Sequence, residues 1–85
     1  MTESQERKVY TWLGYGPDEN DIFPDRPLLD YNTFMGEGVP KLWTEGYEAN
    51  FYGGSKPEWA IGFDNRFYFN SNPWLALAEY LGSVK

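Results

Sequence analysis

The sequence contains neither cysteine nor histidine. Without cysteine there is no disulfide and no thiolate metal site, a usage compatible with a reducing cytoplasm. Without histidine the chain lacks the commonest general base, the commonest ligand of catalytic metals and the usual pH switch. Its serines, Ser4, Ser55, Ser71 and Ser83, have no imidazole to activate them. Two carboxylates could still hydrolyse a glycosidic bond, but such sites need a cleft, which a domain of 85 residues rarely encloses. Gly14-Tyr15-Gly16-Pro17 and Gly53-Gly54-Ser55-Lys56 are glycine-rich. Neither matches the phosphate-cradling spacing G-x-x-x-x-G-K-[ST], and both read as turns. We therefore expect a protein that is not an enzyme and uses no cofactor and no metal.

Long apolar runs are missing too. None approaches the ~18 residues of a membrane span. The start, Met1-Thr2-Glu3-Ser4-Gln5-Glu6, is polar and acidic, unlike a signal peptide. A soluble protein of the cytoplasm, with no membrane partner, is the expectation. Positive charge is scarce: 7 bases stand against 13 acids, for a net charge of −6. Phosphates would be repelled, which disfavours direct contact with nucleic acid. A partner protein with a basic surface would be attracted.

What is abundant is aromatic: 4 Trp, 7 Tyr and 6 Phe. A domain this small buries a modest share of its surface and has room for about ten such rings inside. The remainder must sit on the outside, where Trp and Tyr are typical of binding faces.

The pattern along the chain predicts a single small α+β domain. Thr2 and Gln5 have capping-box spacing and open a helix to Leu13. Val9, Trp12 and Leu13 form its apolar stripe, and Gly14 ends it. Tyr15 to Pro27 reads as a loop, broken by Gly16, Pro17, Asn20, Pro24 and Pro27. It carries Asp18, Glu19, Asp21 and Asp25, without the alternation, central glycine and closing glutamate of an EF-hand. Ile22 and Phe23 are expected to pin it to the body. Asp30 could cap a helical turn that buries Leu29, Phe34 and Met35, with Gly36-Glu37-Gly38 breaking it. A second short helix is expected over Val39 to Glu45, with Pro40 in its first turn and Gly46 at its end.

Period-two alternation then predicts three strands. In Tyr47 to Tyr52, Tyr47, Ala49 and Phe51 point one way. In Glu58 to Phe63, Trp59, Ile61 and Phe63 share a face. Asp64-Asn65 suits a two-residue hairpin turn, because both residues tolerate positive φ. In Arg66 to Asn70, Phe67 and Phe69 are expected inward and Tyr68 outward. Asn72 and Pro73 open a last helix with Trp74, Leu77, Ala78 and Leu81 on one stripe and Gly82 as its stop. The expected fold is a three-stranded antiparallel meander packed against an N-terminal and a C-terminal helix.

The order of these elements resembles a known family. A short helix ends in Leu13-Gly14, and a Pro24-Asp25 loop follows. Next come the W-x-I-x-F of Trp59, Ile61 and Phe63 and the helix Asn72-Pro73-Trp74-Leu75-Ala76-Leu77-Ala78. The chain is in this respect similar to the small phage-encoded proteins grouped as the phage ABA sandwich domain. That family usually carries one longer helix in the middle, where Gly36-Glu37-Gly38-Val39-Pro40 interrupts this chain. It has no single activity, so no functional residue is carried across. The resemblance implies a bacteriophage or mobile-element accessory protein in a bacterial cytoplasm.

These readings converge on a small acidic protein that binds a host protein and inhibits or redirects it, for example a defence nuclease complex or a polymerase. The expected contact surface is Asp18, Glu19, Asp21, Glu48, Tyr52, Glu58 and Tyr68. Two alternatives remain open. One is a carbohydrate- or peptide-binding module using Trp43, Tyr47 and Tyr52, within a middle segment that also holds Tyr31 and Phe34. The other is a virion component that self-associates through strand edges.

Overall fold

A computed structural model describes residues 2–23 and 30–83. Helix α1 spans Glu3–Leu13. The Thr2 hydroxyl accepts from the Gln5 N–H at 3.2 Å, and the Gln5 side chain accepts from the Thr2 N–H at 2.8 Å. Gly14, at φ 92°, closes the helix in the left-handed conformation.

The middle of the chain differs from expectation. Gly36 to Gly38 do not break it. Helix α2, Tyr31–Thr33, runs without interruption through a π-helical turn, Phe34–Gly38, into helix α3, Val39–Thr44. The expected start does hold: Asp30 accepts from the Thr33 N–H at 2.6 Å. The wide turn has a physical cause in Pro40, which has no N–H and whose ring would meet the carbonyl four residues back in a regular α-helix. The Val39 N–H instead bonds the Phe34 carbonyl five residues back. Gly38 serves packing: a Cβ there would lie 2.8 Å from Cη2 of Trp74 and 3.0 Å from Cδ2 of Phe34.

Strands β1 (Glu48–Tyr52), β2 (Glu58–Phe63) and β3 (Arg66–Asn70) form an antiparallel meander in that order. Helix α4 spans Pro73–Ser83, capped by Asn72, whose side chain accepts from the Trp74 N–H at 2.9 Å. It runs through Gly82 instead of stopping there. Helix α4 packs over β2 and β3, α3 over β1, and α1 against α4. The result is one layer of helices on one face of the sheet.

Between the layers lies a single core of Val9, Phe34, Val39, Leu42, Trp59, Ile61, Trp74, Ala76, Leu77 and Ala78. Its centre is aromatic. Phe34 meets Trp59 at 4.9 Å and Trp74 at 5.1 Å between ring centroids, both edge-on. Burial of such side chains at roughly 25 cal/mol per Å² is what holds so small a domain together.

Three expected burials are corrected. Met35 and Phe63 are exposed, and Ile22 is the most open of the loop's apolar residues at 61%. Phe23 pins the loop, with Arg7 4.9 Å above its ring and Tyr10 at 5.9 Å. Leu29, Asp25, Pro24 and Pro27 lie outside the described residues.

Candidate functional site

The sheet has a second face, and its composition follows from hairpin arithmetic. Asp64 and Asn65 both have positive φ, 54° and 66°, so β2 and β3 are joined by a two-residue turn. Phe63 therefore stands opposite Arg66, Ile61 opposite Tyr68 and Trp59 opposite Asn70. Residues directly opposite one another in a sheet share a face. The core residues Trp59 and Ile61 thus draw Tyr68 to the helix side, where its ring meets Tyr80 at 6.2 Å. This corrects the expected orientation of β3. Arg66, Tyr68 and Asn70 belong to the inner side, and Phe67 and Phe69 to the outer one.

The outer face consequently has a floor of small residues. Ala60 stands between Asn50 and Phe69, and Gly62 between Glu48 and Phe67. Both are buried, yet neither belongs to the core cluster. Gly62 has no alternative: a Cβ there would run into the backbone carbonyl of Arg66. Along β3 the wall of this shallow trough is Phe67 and Phe69. Along β1 it is Glu48, Asn50 and Tyr52. Across one end, Tyr52 and Phe69 approach to 6.4 Å between ring centroids, beside Glu58, which pairs with Tyr52. Tyr52 is 53% and Phe69 54% exposed. Two acids and three aromatic rings thus share one side of the sheet, and the one base of the three strands, Arg66, lies on the other side.

The residues expected to make contacts are accordingly divided. Glu48, Tyr52 and Glu58 come together on the trough. Tyr68 faces away from it. Asp18, Glu19 and Asp21 sit on the loop that packs against α1. Asp18 works within that loop: one carboxylate oxygen accepts from the N–H groups of Asn20 at 2.8 Å and Ile22 at 3.0 Å. Asp21 lies 3.9 Å from Arg7, which also meets Glu3 at 3.4 Å. Among the described residues, no group of three or more acids is placed to hold a metal ion.

The aromatic groove expected around the middle segment is not assembled. Phe34 is in the core, while Tyr31 and Trp43 are each 63% exposed. Tyr47 packs on the inner side against Trp12, Phe63 and Tyr80, on the opposite face from Tyr52. Burial, with smaller contributions from Tyr80 and Glu45, raises the pKa of the Tyr47 phenol. The ring serves as a packing element.

A separate open hollow of about 440 Å³ lies between α1 and α4, lined by Ser4, Arg7, Lys8, Thr11, Trp12 and Leu81. The Trp12 indole N–H is buried with no acceptor among the described residues, and Lys41 sits 5.1 Å from its ring.

Phe67, Phe69, Ala60 and Gly62 were missed as trough residues by reading hydrophobicity alone. The available signal was the two-residue length of the Asp64-Asn65 turn. No helix among the described residues is long and apolar enough to cross a membrane. No protein-family model, no curated protein and no solved structure matches the chain.

Proposed function

We propose that this chain is a non-catalytic binding domain that engages a basic surface of a host protein through the outer trough of its sheet and thereby inhibits or redirects that protein. The carrying observation is the grouping of Tyr52, Phe69 and Phe67 with Glu48 and Glu58 on a face no described helix covers. Rings of this size around a small-residue floor, with Tyr52 and Phe69 exposed and Phe67 half-buried, supply the desolvated centre of an interface. The acids beside them supply attraction and register for lysines or arginines of a partner. The chain's net charge of −6 favours the same class of partner at longer range. The setting, a phage or mobile element acting on a defence nuclease complex or a polymerase in a bacterial cytoplasm, rests on the resemblance in element order.

The test is affinity capture from bacterial lysate with the wild-type chain beside Glu58→Lys and Tyr52→Ala. The expected result is one protein retained by the wild type, released as salt rises and lost with either variant, while both variants melt like the wild type. Retention that is indifferent to salt and to both substitutions overturns the reading.

A further inference from the structure

We infer that two copies of this chain join edge to edge through β3, antiparallel, with the two-fold axis at Tyr68, to make one six-stranded sheet. The inference starts from backbone groups. In a two-residue hairpin the flanking pair, here Phe63 and Arg66, exchanges both hydrogen bonds, and bonded and non-bonded pairs then alternate. Tyr68 and Asn70 therefore bond β2, and the N–H and C=O groups of Phe67 and Phe69 turn outward. No described residue bonds them. The edge also lacks the usual defences against pairing: β3 has no proline, no lysine and no bulge.

The geometry also selects the occupant. A copy laid antiparallel with Tyr68 on the axis sets Phe67 opposite the second copy's Phe69, so the four outward groups on each strand meet their complements. Both residues face the trough side in both copies, so the two helix layers stay on one side. Pairing β3 antiparallel to the β1 edge of another copy would not do this. The outward groups of β1 belong to Ala49 and Phe51, whose side chains face the helices, so such a pairing would set the two helix layers on opposite sides. A parallel β3–β1 pairing would keep the layers on one side, but parallel ladders are slightly less stable per residue and such a chain of copies would never close, so the closed antiparallel pair is the arrangement we infer. Charge decides between the two closed choices. Strand β1 begins at Glu48, follows Glu45 and lies beside Glu58, so two β1 edges would crowd acids together. Strand β3 contains no acid, and its one charge, Arg66, would stand opposite the second copy's Asn70. In a chain with 13 acids, β3 is an edge where copies meet without like charges opposed.

The absence of native cysteine makes the arrangement directly testable. Across the axis, two copies of residue 68 form a non-bonded pair, close enough for a disulfide. Under oxidation Tyr68→Cys should cross-link into a covalent dimer, while Phe69→Cys, two positions out of register with itself, should not. By sedimentation, the wild type should reach twice the mass of one chain as concentration rises into the millimolar range. Phe69→Pro, which removes an outward N–H and an exposed ring but no hydrogen bond to β2, should stay monomeric with an unchanged circular dichroism spectrum. If Phe69→Pro fails to fold, the cysteine pair decides alone. A wild-type chain that remains a monomer at every concentration overturns the inference. So does a dimer that Phe69→Cys cross-links as readily as Tyr68→Cys.

Discussion

The Trp74 indole meets the ring of Phe34 edge-on, 5.1 Å between centroids and 87° between planes. Both side chains are fully buried, and the bare Cα of Gly38 is what leaves room for the contact. Gly38→Ala should therefore destabilise the fold. Helix propensity alone would favour alanine by ~1 kcal/mol, but overpacking a full core costs about 1–3 kcal/mol. The clash falls on a rigid ring, so the cost should win. Denaturant unfolding should also show Gly38→Ala with Trp74→Phe to be less than additive, because the smaller ring frees the space the methyl needs.

Gly62→Ala should do more damage than any other single glycine replacement in the sheet region. Its Cβ would meet the carbonyl of Arg66, which is backbone and cannot rotate aside. Gly53→Ala is the control, since nothing lies within 4 Å of a Cβ there. Thermal melts should separate the two clearly, with strand content lost in the first and kept in the second.

The face assignment of β3 gives an asymmetric pair. Tyr68→Ala should cost about 1–3 kcal/mol, as expected for truncating a ring packed partly on the core. Phe69→Ala, on the open face, should cost less than about 1 kcal/mol. Equal losses, or the reverse order, in urea unfolding would contradict the register.

Asp30 predicts an acid limb. Its carboxylate accepts the Thr33 backbone N–H at the start of α2, and that bond holds its pKa below the usual 3.8. A carboxyl whose folded pKa is depressed contributes stability above its unfolded pKa and loses it as pH falls through the folded one. Asp30→Asn should thus melt below the wild type at neutral pH. The gap should narrow as pH falls below 3.8, which melting curves across that range will read.

Surface truncation and core truncation should differ in kind. Tyr52→Ala should abolish partner capture and leave the melting temperature nearly unchanged. Leu77→Ala, from a fully buried position, should cost about 2–5 kcal/mol.

Much of this fold is legible in the sequence because its local signals agree with one another. Thr2 and Gln5 announce α1, Asp64-Asn65 announces a turn, and Asn72-Pro73 announces α4. Each signal is satisfied by contacts within a few residues. Two readings fail where a longer-range condition takes over. Phe67 and Phe69 look more apolar than Tyr68, yet the turn length ties Tyr68 to Ile61, and a strand cannot turn one residue independently of the next. Gly36, Gly38 and Pro40 look like a break, yet packing of Phe34 and Leu42 holds the helix together and the backbone takes up one extra residue in a wider turn instead. The trough inherits the first of these errors: Glu48, Tyr52 and Glu58 can be found by alternation, but their aromatic neighbours require the register.

The wide turn at Phe34–Gly38 carries a consequence for chain length. Its five-back bond sets Val39 almost directly above Phe34, the place the fourth residue on would occupy in an ordinary α-helix. The helix thus stores one surplus residue without changing which side of α3 meets the core. Gly36, exposed and with open space around it, is the natural residue to remove. Its deletion together with Pro40→Ala would shorten the chain, straighten the helix and leave Leu42 where it is. At this point length and core phase are independent, and insertions or deletions can pass through the middle of a helix as if it were a loop.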